Sequence, residues 1–187
     1  MGSASLTSEC SFDSIVARSE NMSETSSSSV KRNVYLMHGF IGSGKTTFAK
    51  KLATEKRAMR LTHDDYMLLL YGSNPPANLF RDYAERVSEM LWRMTAELVS
   101  LEVPVILDHG FWTKQLRVEA IERVRAMGAI PVIYAIACSP ATMKERCLKR
   151  TAQGGETLFI DEPAFDSFLR TFEPISGDEE HIVITAD

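Results

Sequence analysis

Cysteine is scarce in this sequence of 187 residues, and long apolar runs are missing. The three cysteines, Cys10, Cys138 and Cys147, are irregularly spaced, which argues against a disulfide framework or a zinc site and favours a reducing cytoplasm. No apolar run approaches the roughly 20 residues that a membrane span requires. The first residues also lack the basic and apolar stretches of a secretory signal. We therefore expect a cytoplasmic protein that has no membrane partner.

The composition is that of an ordinary globular domain preceded by a polar segment. Hydrophobic residues make up 44% of the chain and charged residues 25%, proportions that are typical of globular proteins. Residues 1–30 hold thirteen Ser or Thr and show no sustained hydrophobic period, a composition that is typical of disorder. We predict a disordered Ser-rich segment over residues 1–31 and one domain over residues 32–187.

Charge is distributed unevenly along the chain. The net charge is −4 overall, −3 over residues 1–30 and −8 over residues 156–187, which leaves +7 for the middle. A basic middle favours an anionic ligand, although solvated helix faces account for many of these charges. The sequence offers no Arg-rich or aromatic-interleaved surface, so nucleic acid is not an expected partner.

A phosphate-binding loop is the most specific motif in the chain. Residues 39–46 follow an apolar run and precede a helical pattern, which is the strand–loop–helix context that the motif needs. Glycines let backbone N–H groups wrap a phosphate chain, and the following helix presents its positive end to the same anion. Lys45 would reach the β- and γ-phosphates of ATP, and the Thr46 hydroxyl would bind Mg²⁺. The predicted nucleotide-binding residues are Gly39, Phe40, Ile41, Gly42, Ser43, Gly44, Lys45, Thr46 and Thr47.

Strand and helix patterns alternate from Val34 onward. Alternation of this kind predicts right-handed βαβ units and a parallel sheet. A long amphipathic helix is predicted from Leu79 to Leu101, and Ser139 followed by a proline is a typical helix start. A last helix is predicted over residues 162–171 and a final strand over residues 181–184. The expected fold is an α/β P-loop domain, a three-layer sandwich with a five-stranded parallel sheet and a short lid.

Acidic residues follow the second and third predicted strands, and ligands lie beyond the carboxyl ends of strands in an open parallel sheet. Asp64 is the candidate for the general base that accepts a proton from an acceptor hydroxyl. Its alternative role is a helix N-cap, a role that we assign to Asp65. Asp108 is a candidate for positioning Mg²⁺ through water or for hydrogen-bonding the acceptor. His63 and His109 flank these acids and are interpreted as structural.

Two arginines, Arg146 and Arg150, lie four residues apart and therefore on one face of a helix that leads into a Gly-containing loop. We interpret them as catalytic residues of a mobile cover that present guanidinium groups to the triphosphate, with Arg146 also binding the nucleotide. The alternative is a solvated helix end, where the helix dipole favours basic residues. Cys138 and Cys147 are interpreted as packing residues.

Taken together, these segments resemble the small P-loop kinases grouped with 5′-polynucleotide kinases, zeta toxins and chloramphenicol phosphotransferases. They are most similar to a bacterial branch of AAA-type ATP-binding proteins, whose third strand ends in a stretch matched by Asp108-His109-Gly110-Phe111-Trp112. The similarity covers roughly residues 33–184. The resemblance implies ATP-dependent transfer of a γ-phosphoryl group to a hydroxyl, with Asp64 as general base and Arg146 and Arg150 as lid arginines. It also implies that residues 172–175 lie by the adenine.

The sequence departs from polynucleotide kinases at Met67, where those enzymes carry an arginine that holds the acceptor phosphate. This departure favours a small hydroxyl-bearing metabolite as the acceptor, which would contact Asp64, Asp108 and Trp112. The aromatic residues near these acids are equally consistent with core packing. Two other functions remain open, a regulatory ATP-binding switch or slow ATPase, and a toxin of the zeta type that phosphorylates a sugar nucleotide. The sequence leaves the oligomeric state open.

Overall fold

The computed structural model describes residues 32–154 and 157–185. The Ser-rich segment predicted over residues 1–31 lies outside this part of the chain. No helix within the described ranges is long and apolar enough to cross a membrane. In chain order the elements are β1 (Asn33–His38), α1 (Lys45–Lys56), β2 (Met59–Thr62), α2 (His63–Tyr71), α3 (Phe80–Ser100), β3 (Val105–Gly110), α4 (Lys114–Ala126), β4 (Ile130–Ala137), α5 (Pro140–Gln153), α6 (Glu162–Leu169) and β5 (Ile182–Thr185).

The five strands form one sheet in which every neighbouring pair is parallel, in the order β2-β3-β1-β4-β5. Strand β1 lies at the centre, and its Val34 pairs in register with Val105 of β3 and Pro131 of β4. The predicted α/β fold and its five-stranded parallel sheet are confirmed. The loops after β1, β2 and β3 therefore lie side by side at one edge of the sheet.

Successive residues of β1 point to opposite faces of the sheet, as the strand geometry requires. Val34 and Leu36 pack into the larger core cluster, which also contains Leu91 of α3 and Val124 of α4. Tyr35 and Met37 pack on the other face against α1. The helices thus cover both faces of the sheet and complete the predicted three layers.

The start of helix α2 differs from the one predicted, and this changes the role of Asp65. Helix α2 begins at His63, immediately after β2, and its N-cap is Thr62, which makes no side-chain capping bond. Neither Asp64 nor Asp65 therefore caps α2, and the cap predicted for Asp65 is wrong. The predicted cap at Ser139 is confirmed, because its side chain accepts a hydrogen bond from the backbone N–H of Thr142.

Candidate active site

The phosphate loop connects the end of β1 to the first residue of α1. Gly42 in this loop has φ +79°, and a Cβ atom added there would lie 2.3 Å from the carbonyl oxygen of Met143 in α5. A Cβ atom on Gly39 would lie 2.8 Å from the Ser43 hydroxyl oxygen. Both positions therefore require glycine, for conformation and for space. The loop is packed directly against the first turn of α5.

Hydrogen-bond donors collect inside this loop. The Ser43 hydroxyl is fully buried and has no hydrogen-bond partner among the described residues. The Lys45 ammonium donates a 2.8 Å hydrogen bond to the carbonyl oxygen of Phe40, at the start of the loop. The N-cap of α1, Gly44, has no side chain that could satisfy the first N–H groups of the helix. This set of donors matches what a bound phosphate chain requires.

Asp108 lies next to the loop, at the end of β3. Its side chain is almost fully buried, and burial raises the pKa of Asp108, while its interactions with Lys45 and Thr46 oppose that rise. Both predicted magnesium ligands, Thr46 and Asp108, are therefore adjacent. Within the described part of the chain, no group of three or more His, Cys, Asp and Glu side chains is arranged to hold a metal ion by itself. A site with one hydroxyl and one carboxylate oxygen fits Mg²⁺, which usually binds one or two protein groups together with phosphate and water.

Asp64 lies in the first turn of α2 and is open to solvent. Its side chain is 71% exposed, and its Oδ1 lies 3.8 Å from Nδ1 of His63. Partial desolvation works to raise the pKa of Asp64, but His63, Lys45 and Arg150 outweigh this effect, and the net pKa lies below the ordinary value. Asp64 is therefore an ionised carboxylate within electrostatic range of the phosphate loop.

Two stacked imidazoles border Asp64. The rings of His63 and His109 lie 4.4 Å apart at an interplanar angle of 6°, and Nε2 of His63 donates a hydrogen bond of 3.0 Å to the carbonyl oxygen of Ala84. Burial lowers the pKa of His109 to about 3, with a further contribution from His63. His109 is therefore neutral at physiological pH.

The predicted lid arginines lie on α5 and are both exposed. Burial lowers the pKa of Lys45, while Asp108 and Asp64 raise it and Arg150 lowers it further. Arg150 therefore lies within electrostatic range of Lys45 in the phosphate loop. Arg146 donates a 3.8 Å hydrogen bond from Nη1 to the sulfur of Cys138, just after β4.

Comparison with known proteins identifies the family. The sequence profile of the AAA domain matches residues 34–175, which is more than half of the chain. This chain belongs to the AAA domain family. No curated protein matches it.

Several solved structures share the fold of this AAA domain. A candidate kinase from Chloroflexus aurantiacus J-10-fl is 20% identical, with a TM-score of 0.68 over 83% of this chain and 88% of that chain. A gluconokinase from Sinorhizobium meliloti 1021 is 16% identical, with a TM-score of 0.56 over 82% of each chain. Kti12 from Chaetomium thermophilum, solved in complex with ADP-AlF3, is 17% identical, with a TM-score of 0.63 over 82% of this chain and 89% of that chain. The resemblance to P-loop kinases is confirmed at the level of fold.

The sequence motifs did not identify a group of polar contacts around Arg60 of the AAA domain. Arg60 of β2 donates from Nη1 to Oδ2 of Asp108 at 3.3 Å and from Nη2 to Oδ2 of Asp65 at 3.0 Å. It also donates to the Thr62 hydroxyl. Asp65, expected to be a helix cap, is instead the outer partner of this arginine. The sequence held one signal for this contact. Arg60 and Thr62 are two residues apart on one strand, so their side chains lie on the same face of the sheet.

Trp112, predicted to contact the acceptor, lies against the phosphate loop of the AAA domain. Its ring centroid is 5.2 Å from that of Phe40 and 5.7 Å from that of Phe168 in α6. The indole N–H is buried and has no hydrogen-bond partner among the described residues. The structure thus brings together the phosphate loop, Asp64 and Asp108, and it places Trp112 in an adjoining aromatic cluster.

Proposed function

We propose that this protein transfers the γ-phosphoryl group of ATP to a hydroxyl of a small molecule. The observation that carries the proposal is Asp64, an ionised and solvent-open carboxylate within electrostatic range of Lys45. A hydroxyl acceptor needs such a base to take up its proton as the new O–P bond forms. The kinase fold of the family supports the same class of reaction.

The residues of the proposed site divide into those that bind ATP and those that bind the acceptor molecule. The loop backbone, Lys45 and the Ser43 hydroxyl bind the triphosphate. Thr46 and Asp108 would hold Mg²⁺, which supplies charge neutralisation for the phosphate oxygens. Asp64 orients the acceptor hydroxyl and accepts its proton.

The two arginines of α5 complete the proposed site. In phosphoryl transfer, guanidinium groups stabilise the charge that develops on the transferring group and on the leaving phosphate. Arg150 is assigned this role first, because it acts on the charges of Lys45 and Asp64. Arg146 remains assigned to the nucleotide phosphates, and it is exposed on α5 four residues before Arg150, on the same face of the helix.

The environment of Asp64 favours a small acceptor over a polynucleotide. Met67, at the position where polynucleotide kinases carry an arginine, is fully buried in the core and offers an acceptor phosphate no contact. His109, beside Asp64, is neutral and hydrogen-bonding rather than cationic. The neutral imidazole of His109 can exchange hydrogen bonds with a hydroxyl-bearing metabolite.

Slow ATP hydrolysis is the second candidate function, because the exposed carboxylate of Asp64 is accessible to water as well as to a hydroxyl. A regulatory role would use the same nucleotide site and would need no acceptor. The two functions differ in their product, since hydrolysis yields free phosphate in the absence of any acceptor.

Replacement of Asp64 by Asn tests the proposal, with Asp65→Asn as the matched control. The neighbouring carboxylates are both exposed, but only Asp64 is assigned to proton transfer. We expect Asp64→Asn to keep ATP affinity and to lose transfer by about 10²- to 10⁴-fold, the usual contribution of a general base. Asp65→Asn should retain most of the transfer activity. Transfer is measured with γ-labelled ATP and a mixture of sugars, polyols, nucleosides and sugar nucleotides, and an Asp64→Asn variant that transfers label normally would refute the assignment.

A further inference from the structure

Strand β3 contains an extra residue where it reaches the active site. In its pairing with β1, a single residue, Met37, faces two residues of β3, Asp108 and His109. An insertion of this kind is a β-bulge, which bends the strand and re-aims a side chain. Without the bulge, Asp108 and His109 would point to opposite faces of the sheet. The bulge therefore changes where one of these two side chains is presented.

The backbone that follows the bulge is strained. The φ angle is +99° at Gly110 and +43° at Phe111, and a bulky residue rarely adopts a positive φ. The carbonyl oxygen of Phe111 accepts hydrogen bonds from Nδ1 of His38 at 3.1 Å and from Nη1 of Arg117 at 3.2 Å. Both donor side chains are buried, at 3% and 1% exposure. Strained conformations persist where the surroundings fix them in this way, and they cluster at functional sites.

The imidazole of His109 is the side chain that this backbone presents beside α2. Its ring stacks on the ring of His63 with centroids 4.4 Å apart. In turn, Nδ1 of His63 lies 3.8 Å from Oδ1 of Asp64, the proposed base. These two contacts together span a distance that one sugar or polyol molecule covers. A single acceptor can therefore reach both Asp64 and His109.

The hydrogen bonding of His109 leaves room for a ligand. The Ser88 hydroxyl oxygen lies 3.4 Å from both Nδ1 and Nε2, which is longer than a typical hydrogen bond. The two nitrogens of an imidazole point in different directions, so one oxygen at the same distance from both is well aligned with neither. The described residues give this ring no other hydrogen-bond partner, and His109 is partly exposed. A ligand hydroxyl, which both donates and accepts, matches this unused capacity.

We propose that His109 is an acceptor-binding residue that hydrogen-bonds a second hydroxyl of the molecule phosphorylated at Asp64. The acceptor class is then a sugar or a polyol, because one hydroxyl must lie at Asp64 and another at His109. This inference rests on the proposed phosphoryl transfer and names the substrate class of the same site. Its signature is a loss of activity that depends on one particular hydroxyl of the acceptor.

The experiment combines variants of the full chain with acceptors that differ by one hydroxyl. His109→Phe keeps an aromatic ring to stack on His63 and removes both ring nitrogens. His181→Phe is the control, since the His181 ring hydrogen-bonds the Glu179 carbonyl oxygen within its own segment. The probes are the sugars and polyols of the metabolite mixture, among them glycerol, D-ribose and D-glucose, each with the analogues that lack one hydroxyl. Transfer from γ-labelled ATP gives kcat/KM, and calorimetry gives the dissociation constant of ATP.

We expect His109→Phe to lower kcat/KM by about 10- to 100-fold for the probe that is phosphorylated, and by less than about twofold for the analogue that lacks the contacted hydroxyl. Neither variant should change the dissociation constant of ATP, and His181→Phe should leave kcat/KM unchanged. Equal losses for the probe and for every analogue, or no loss at all, would overturn the proposal.

The wild-type protein provides a second check on the acceptor class. Transfer of label to other hydroxyl compounds, but to no sugar or polyol, would overturn the proposal and leave the proposed function intact. If His109→Phe fails to fold, His109→Asn, which removes the ring and keeps a polar group beside Ser88, decides by the same comparison of probe and analogues. A wild-type protein that transfers label to no acceptor would instead overturn the proposed function.

Discussion

The ion pair between Arg117 and Glu179 makes a quantitative prediction about acid stability. The Glu179 side chain is only 7% exposed and accepts both hydrogen bonds of the guanidinium fork. These bonds lower the pKa of Glu179 from 4.5 to about 2. Because one pKa unit corresponds to about 1.4 kcal/mol, the folded state gains roughly 3 kcal/mol from this carboxylate at neutral pH.

The sign of the pH dependence follows from the lowered pKa. The unfolded chain takes up a proton on Glu179 near pH 4.5, whereas the folded protein resists protonation until the pH nears 2. The stabilisation is therefore complete above the unfolded pKa and is lost as the pH falls towards the folded pKa. At about pH 3, roughly 1 kcal/mol of it remains.

The variant Glu179→Gln isolates this contribution, and Glu180→Gln, at an exposed neighbouring glutamate, is its control. We expect Glu179→Gln to lower the free energy of unfolding by about 3 kcal/mol at neutral pH and by about 1 kcal/mol at about pH 3. The measurement is urea denaturation followed by far-UV circular dichroism at both pH values. A loss of the same size at both values, or no loss at neutral pH, would refute the reasoning.

Two further predictions concern the phosphate loop and the buried imidazoles. Gly42→Ala should abolish measurable ATP binding, because its Cβ would collide with the Met143 carbonyl oxygen, whereas Gly72→Ala has a similar φ of +78° with nothing within 4 Å. The control should therefore cost about 1–3 kcal/mol of stability through its backbone conformation and leave ATP affinity unchanged, and equal effects of the two variants on calorimetric ATP affinity would contradict the steric argument. His38 and His109, with pKa values lowered by burial to about 4 and about 3, should stay neutral between about pH 5 and 8. An NMR titration midpoint near 6.5 for either ring would show that it is not buried as described.

The parts of the site that the sequence predicted are local in the chain. The phosphate loop is a contiguous motif whose conformation depends on its own glycines and the helix that follows, and the structure places it between β1 and α1. Asp64 and Asp108 were predicted from the rule that ligands lie at the carboxyl ends of parallel strands. The roles assigned to these side chains remain predictions.

The contacts that the sequence did not reveal join residues far apart in the chain. Arg60 meets Asp108 across 48 positions and Arg117 meets Glu179 across 62 positions. The first depends on β2 and β3 becoming neighbours, and the second depends on the packing of α4 against the segment before β5. Alternation of strands and helices specifies neither. The prediction that Asp65 caps α2 was also wrong. N-capping contributes only about 1 kcal/mol, and α2 begins at His63, which leaves Asp65 inside the first turn, where it pairs with Arg60.

Product analysis tests the central claim most directly. The wild-type protein is incubated with ATP, Mg²⁺ and the mixture of hydroxyl-bearing metabolites, and the products are separated and identified by mass spectrometry. Phosphoryl transfer predicts a phosphorylated metabolite formed in equal amount with ADP, and its absence with Asp64→Asn. Formation of ADP and free phosphate at a rate that does not depend on any metabolite, with no phosphorylated product, would contradict the claim and favour hydrolysis.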